Sequence, residues 1–343
     1  MSHGNKPHDK ARIGITIGDL NGIGPEVIIK ALSDNRILSM ITPVIYGSAK
    51  VIAFYKKQLA IEEFNYTQLR SRGQLAPRSI NVVNCWEDNF EITPGKPSRE
   101  SGKAAFTAIK TACEDLKDGF LDALVTGPVD KQTIHSAEFP FKGHTEYLAE
   151  FFGVKDSLMF MVADNIRVGL ATGHVPVKDI SPLITKERLE SKLKLMEHSL
   201  RTDFGITKPK IAVLGLNPHA GDGGLLGMEE EDVIKGVIAD HRNRGKLVFG
   251  PLPSDGFFGS AQYKRYDGIL AMYHDQGLIP FKTIAFEDGV NFTAGLPFVR
   301  TSPDHGTAYN LAGKNQANES SLREAIYRAA ALFKQRQEQL VEK

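Results

Sequence analysis

Three short apolar runs in this chain each stop at a histidine, and that repetition constrains the fold more than any other feature. Ile166 to Gly173 leads into His174, Ile211 to Pro218 into His219, and Gly268 to Tyr273 into His274. Runs of this length, bounded by Gly, Pro and polar residues, suit buried strands that feed polar loops. In an open α/β sheet the carboxyl ends of parallel strands share one edge, and ligands bind in the crevice outside it. Three histidines delivered there can converge on one ion. Imidazole suits zinc, cobalt and related divalent metals, and three protein ligands leave a position open for substrate. The separations of 45 and 55 residues match no local metal motif, so the signal lies in the repeated context. A single histidine after a strand is usually a loop or packing residue.

Downstream of His274, the residues Lys282, Asn291 and Arg300 follow one another at nine-residue intervals around Gly289 and Gly295. Arginine offers a planar fork that matches phosphate or carboxylate oxygens, and lysine a compact charge beside it. An anionic substrate group is the natural partner. The plainer alternative is two solvated surface cations and a turn asparagine. The stretch His274–Gly277 reads as a polar loop, and Asp255, after the strand expected at Leu247–Pro251, falls near the same edge. Asp255, Asp275 and Lys282 are the candidates for proton transfer there.

The 343 residues suffice for one large or two medium domains. Lys and Arg number 42 against 41 Asp and Glu, so there is no general attraction to nucleic acid or to an anionic membrane. Any anion recognition must be local. Cys85 and Cys113 form no CxxC pair, and no signal-peptide core precedes the first strand, which fits a reducing cytoplasm with two free thiols. No apolar run is long enough to span a bilayer. Residues 1–10 read as a polar, disordered leader, and 11–343 as one catalytic unit.

Taken in order, Arg12–Ile17 is a first strand, followed by the glycine-rich turn Gly18–Glu26 with Pro25 as first helical residue. Such turns offer backbone N–H groups to anions, but Val27 stands where a dinucleotide fingerprint needs its third glycine. A purely structural turn is the alternative. Ser98–Gly119 carries Ala104, Ala105, Ala108, Ile109, Ala112 and Leu116 at helical spacing, with Cys113 in the same stripe. Leu121–Val125 is a buried-type strand. A helix then opens at Gly143, which places His144 and Thr145 at its positive end as phosphate contacts; a capping threonine beside an incidental histidine is the alternative. The loop Ala220–Gly227 fails both the dinucleotide and the P-loop spacing. A helix is expected from Glu229, Thr301–Gly313 reads as a polar loop, and Ser320–Leu340 closes the chain as a helix with Leu322, Ala325, Ile326, Ala329 and Leu332 on one face. Strand and helix alternate throughout, so the class is α/β.

Taken together, the segments GDLNGIGPE, VTGPVDK, GHTEYLAEFFG, TGHVPVKD, GLNPHAGDGGLLGMEE, GPLPSD, AMYHDQGLIPFK and GVNFTAGLPFVRTSPDHGTA resemble the 4-hydroxythreonine-4-phosphate dehydrogenase family of pyridoxal phosphate biosynthesis. The resemblance places metal ligands on His174, His219 and His274, and substrate contacts on His144, Thr145, Lys282, Asn291 and Arg300. It implies an isocitrate/isopropylmalate-dehydrogenase-like fold of two interleaved α/β lobes with a cleft and no Rossmann fingerprint. A homodimer with its active site at the interface is implied as well, with one divalent ion (Zn, Co or Mg) per subunit and NAD or NADP. The implied reaction is oxidation of 4-phosphooxy-threonine to a 3-oxo acid, which decarboxylates to 3-amino-2-oxopropyl phosphate.

Departures from the family pattern are Ile17 and Leu20 where two prolines are usual, and Asn310 and Asn315 where Asp and Gly are common. They bear on substrate, because related sequences oxidise phosphorylated four-carbon sugar acids. A phosphate-acyl transferase of the same fold superfamily is the alternative from another enzyme class, and a non-catalytic phosphometabolite-binding protein a third reading.

Overall fold

The structure, a computed structural model, describes residues 10–69, 75–87, 90–136, 138–141 and 143–341. Apart from Lys10, the leader expected over 1–10 lies outside the described residues. The first six strands in chain order are β1 (Ala11–Thr16), β2 (Ile41–Gly47), β3 (Tyr66–Leu69), β4 (Ile80–Asn84), β5 (Ala123–Thr126) and β6 (Leu158–Ala163). They are followed by β7 (Ile166–Leu170), β8 (Lys210–Leu214), β9 (Leu247–Leu252), β10 (Gly268–Ala271), β11 (Val290–Ala294) and β12 (Val299–Pro303).

The chain forms two compact units, Met1–Gly153 with Pro297–Lys334, and Val154–Leu296 with Gln335–Lys343. In the first unit the strands run β3-β4-β2-β1-β5-β12, with parallel pairings. Strands buried on both faces need near-continuous apolar sequence, and Ile13, Ile15, Val44, Ile45, Leu124 and Val125 are fully buried. Helix Arg99–Lys117 packs on β1, β2 and β5. It begins where it does because Ser98 accepts from the Ser101 N–H while the Ser101 hydroxyl caps Ser98 in return. Its stripe Ala104, Ala105, Ala108, Ile109, Ala112 and Cys113 is wholly buried, as the spacing requires.

Strand order in the second unit is β11-β6-β7-β10-β8-β9. The pairs β11–β6 and β6–β7 are antiparallel, while β7, β10, β8 and β9 run parallel. Its core gathers Val168, Leu170, Ala212, Leu214, Ile269, Ala271, Leu278 and Phe281, which include all three apolar runs. Burying each large side chain among these contributes about 1.5–3 kcal/mol.

Several local expectations are corrected. The segment His274–Gly277 is not a loop but the first turn of helix His274–Ile284, entered from an extended Tyr273. The expected polar loop from Thr301 instead starts inside β12, whose polar residues are buried because they are bonded: the Thr301 hydroxyl donates to the Ala325 carbonyl at 2.8 Å. Pro25 occupies the second position of helix Gly24–Leu32, not the first. The helix expected from Glu229 opens with a π turn, Glu230–Ile234, before Lys235–Asn243.

Candidate active site

All three histidine-terminated runs lie side by side in the second unit, since β10 is flanked by β7 on one side and β8 on the other, all parallel. Their carboxyl ends therefore share one edge. The ladder continues past the strands, where Ala171 N–H donates to the Ala271 carbonyl at 2.8 Å and Thr172 N–H to the Met272 carbonyl at 3.1 Å. Gln276 then ties three strand ends together. Its Oε1 accepts from Met272 N–H at 2.6 Å, and its Nε2 donates to the Gly215 carbonyl at 2.5 Å and to Ser254 Oγ at 2.7 Å.

On this edge the rings of His174 and His274 stand 5.2 Å apart between centroids. His274 Nδ1 lies 2.7 Å from Asp275 Oδ1. A proton on Nδ1, assigned from that contact, leaves the Nε2 lone pair for a ligand, the usual arrangement of a metal-binding imidazole and its carboxylate. Among the described residues no group of three or more His, Cys, Asp or Glu side chains is arranged to hold an ion. The structure thus brings two rings together and leaves His219 apart from them. That pair fits a divalent cation of borderline softness.

His219 opens a left-handed turn. Residues 219–223 have φ of 53, 52, 82, 45 and 63°, a run that glycine adopts freely but that costs His219, Ala220 and Asp222 roughly 1–2 kcal/mol each. A cleft of about 830 Å³ beside this turn is lined by His219, Asp255, Asp275 and Gln276, with Phe258 and Ile279 among its apolar walls. Both proposed carboxylates therefore face the space that His219 faces. Lys282 lies two turns beyond His274 on the same helix, and Asn291 sits on β11 with its Oδ1 buried and without a partner.

The other anion candidates belong to the first unit. Arg300, on β12, is 3% exposed, and its Nη2 donates to Thr126 Oγ1 at 2.6 Å at the end of the neighbouring β5. Burial draws its pKa down to about 10, against the opposing pull of Glu146 and Cys113, so it is a cation at neutral pH. It is not a solvated surface charge. His144 begins helix His144–Phe151, which has Gly143 at its N-cap and no side-chain cap, so Thr145 does not cap it. Tyr147 anchors this helix through ring contacts with Phe106, Phe139 and Phe141. The residue His144 is partly exposed, but its Nε2 is buried and has no partner.

Burial, and secondarily the Arg300 charge, pull the His144 pKa from 6.5 to about 3. The unfolded chain takes up this proton below about pH 6.5 while the folded one resists it. The associated stability is thus complete above pH 6.5 and is lost as pH falls towards 3. His144→Gln is expected to flatten that acid limb by on the order of 1–2 kcal/mol at pH 4, allowing for partial exposure. Urea midpoints of both proteins from pH 4 to 8 check this, and parallel curves would refute it.

Two motifs prove to be scaffolding. In the first glycine-rich turn the N–H of Asp19 donates to the Pro128 carbonyl, that of Gly22 to Asp19 and that of Ile23 to Thr307, while fully buried Asp19 accepts from Asn21 N–H, Ser101 and Tyr309. Donors already engaged cannot cradle a pyrophosphate. Both cysteines are free, and burial pushes each thiol up to about 12. Sequence reasoning missed Gln276 and Glu230, whose importance lies in backbone contacts that no spacing announces.

A family model described as pyridoxal phosphate biosynthetic protein PdxA matches residues 39–329. Over 330 residues the chain is 50% identical to a 4-hydroxythreonine-4-phosphate dehydrogenase of Bacteroides thetaiotaomicron, covering 96% of this chain and 90% of that one. The solved structure of a 4-hydroxythreonine-4-phosphate dehydrogenase from Klebsiella pneumoniae superposes with a TM-score of 0.83 at 33% identity, covering 96% and 99% of the two chains. A branched-chain phosphotransacylase from Enterococcus faecalis shares the fold alone, with a TM-score of 0.53 and 13% identity over 93% and 99%. The α/β class expected from the resemblance is the class found, and it is shared with the 4-hydroxythreonine-4-phosphate dehydrogenase and phosphotransacylase structures.

Proposed function

Because the chain belongs to the pyridoxal phosphate biosynthetic protein PdxA family, we propose that it is a metal-dependent dehydrogenase that oxidises the secondary alcohol of 4-phosphooxy-threonine, with decarboxylation of the 3-oxo acid. The observation that carries the reading is the parallel trio β7-β10-β8, which delivers His174, His274 and His219 to one sheet edge.

His174 and His274 would hold a divalent ion, with His219 as third ligand; of Zn, Co and Mg the imidazole donors suit Zn or Co, since Mg prefers oxygen. When bound, the ion supplies Lewis acidity to the alcohol. Asp255 and Asp275, facing the cleft beside His219, are the groups placed to take up the alcohol proton, with Lys282 a third candidate. Arg300 would bind the phosphate as a buried fork, with neutral His144 offering Nε2 and Thr145 beside it in the first unit; Lys282 and Asn291 are the second unit's own candidates for an anionic group. A dianion has more acceptor sites than one cation can fill. The hydride acceptor, NAD or NADP, follows from the dehydrogenase reading; the turn Gly18–Gly24, closed on its own chain, is not its cradle.

The departures at Ile17 and Leu20 are packing changes, since both side chains are fully buried. Asn315 has φ of 58°, a left-handed position that asparagine tolerates in place of glycine. Neither supports a different substrate. A spectrophotometric panel of phosphorylated four-carbon hydroxy acids with both nicotinamides tests the function; no NADH or NADPH from 4-phosphooxy-threonine would refute it.

We further propose a cytoplasmic homodimer whose second copy helps to enclose the site. Among the described residues no helix is long and apolar enough to cross a membrane. The second unit carries Leu225, Leu226, Met228 and Ile279 as large exposed apolar side chains, the composition that a permanent interface covers. Light scattering is expected to give twice the 37.7 kDa chain mass even in dilute solution, and an active monomer would contradict it.

A further inference from the structure

Glu230 is a fully buried carboxylate on the π turn, and it belongs to no part of the chemistry assigned above. Among the described residues, the hydrogen bonds of its carboxylate all go to the stretch just before His219. Its Oε1 accepts from the N–H groups of Leu216 at 2.7 Å and Asn217 at 2.8 Å, and its Oε2 from Asn217 Nδ2 at 2.9 Å. The same carboxylate closes on the left-handed turn from the other side. A Cβ built on Gly221 would lie 2.7 Å from Oε2, and one built on Gly215 would lie 2.8 Å from the Ala220 Cα and 3.1 Å from Oε1. One buried side chain thus holds both flanks of a turn whose backbone is otherwise unfavourable for His219 and Ala220. Single π turns are rare in helices and are found frequently at functional sites.

We infer that Glu230 is the positioning residue of His219: by clamping Leu216 and Asn217 on one flank and abutting Gly221 on the other, it fixes where the imidazole stands and hence how tightly the edge holds a divalent cation. This rests on the cation reading of the histidine edge. Glu230 itself touches neither cation nor substrate. Outer carboxylates of this kind typically alter metal affinity 10- to 100-fold when replaced.

The test is titration of the full-length apoprotein with Co²⁺ alone, followed by equilibrium dialysis and by the visible absorption of the bound ion. Wild type is expected to take up about one cobalt per chain. Glu230→Gln, which keeps the shape but turns an amide towards donors, is expected to weaken cobalt binding about 10- to 100-fold. Its absorption bands should change too, and excess cobalt should restore occupancy. Gly221→Ala presses on the same contact with Glu230 intact, at a φ of +82°, and is expected to act in the same direction. Thermal midpoints of the apo forms identify a variant that has merely lost stability. A lowered midpoint with wild-type cobalt affinity and unchanged bands in either variant overturns the positioning role. If wild type itself binds no cobalt, the cation reading fails, and the inference with it; wild-type binding with unaltered variants sinks the inference alone.

Discussion

Arg300→Ala should weaken productive binding of the phosphorylated substrate by about 2–4 kcal/mol, or roughly 30- to 1000-fold, because it removes charged hydrogen bonds from a buried position. The guanidinium is 3% exposed and braced by Thr126, so its fork is already oriented and little entropy is lost in using it. Some loss of turnover should accompany the loss of binding, since energy gained at a remote group helps to hold the reacting carbon in place. Arg300→Lys should recover only part of the loss, because an ammonium cannot reproduce the fork. The measurement is kcat/KM for the phosphorylated substrate and its dephosphorylated analogue. Wild type should strongly prefer the former and the alanine variant should lose most of that preference. An unchanged ratio would place phosphate recognition elsewhere, whatever happened to stability.

The second large effect is expected at His219. His219→Ala should reduce the bound divalent ion from about one per chain to none, and lower kcat by about three orders of magnitude, the several kcal/mol that Lewis-acid assistance is worth. Elemental analysis of the purified variant provides the decisive comparison. A fully loaded variant would remove His219 from the ligand set. In that case the pair His174 and His274, with rings 5.2 Å apart, would need a different third donor.

What could be read from the sequence was whatever depended on apolar periodicity. The runs before His174, His219 and His274 became β7, β8 and β10, and the face Leu322, Ala325, Ile326, Ala329 and Leu332 is buried as its spacing requires. Strands without that signal escaped notice. β12 reads Val-Arg-Thr-Ser-Pro and resembles a loop, because its burial depends on partners distant in sequence, Thr126 and Ala325. β3 alternates weakly at the end of its sheet. β6 is the exception, a continuous apolar run Leu158–Ala163 whose signal was present; it pairs with β7 as a hairpin across Asp164 and Asn165. At the site, chemistry-bearing side chains were legible by type, but the supports were not. Glu230 looks like any helix glutamate, and the left-handed run at 219–223 includes Ala220, where sequence gives no warning of a positive φ.

The adjacency of β7, β10 and β8 also governs how this chain can vary in length. The histidines follow neighbouring strands, so the separation of the strand ends that lead to them, though not of the rings themselves, is set by the spacing of about 4.8 Å between strands. The number of intervening residues does not enter. A few extra residues at the exposed Thr207–Lys208 turn before β8 would lengthen the path without displacing any of the three, since surface connections absorb insertions at small entropic cost. One extra residue between Ile211 and Leu214 would be different: it would push His219 outward by about 3.3 Å and turn alternate side chains of the strand to the opposite face.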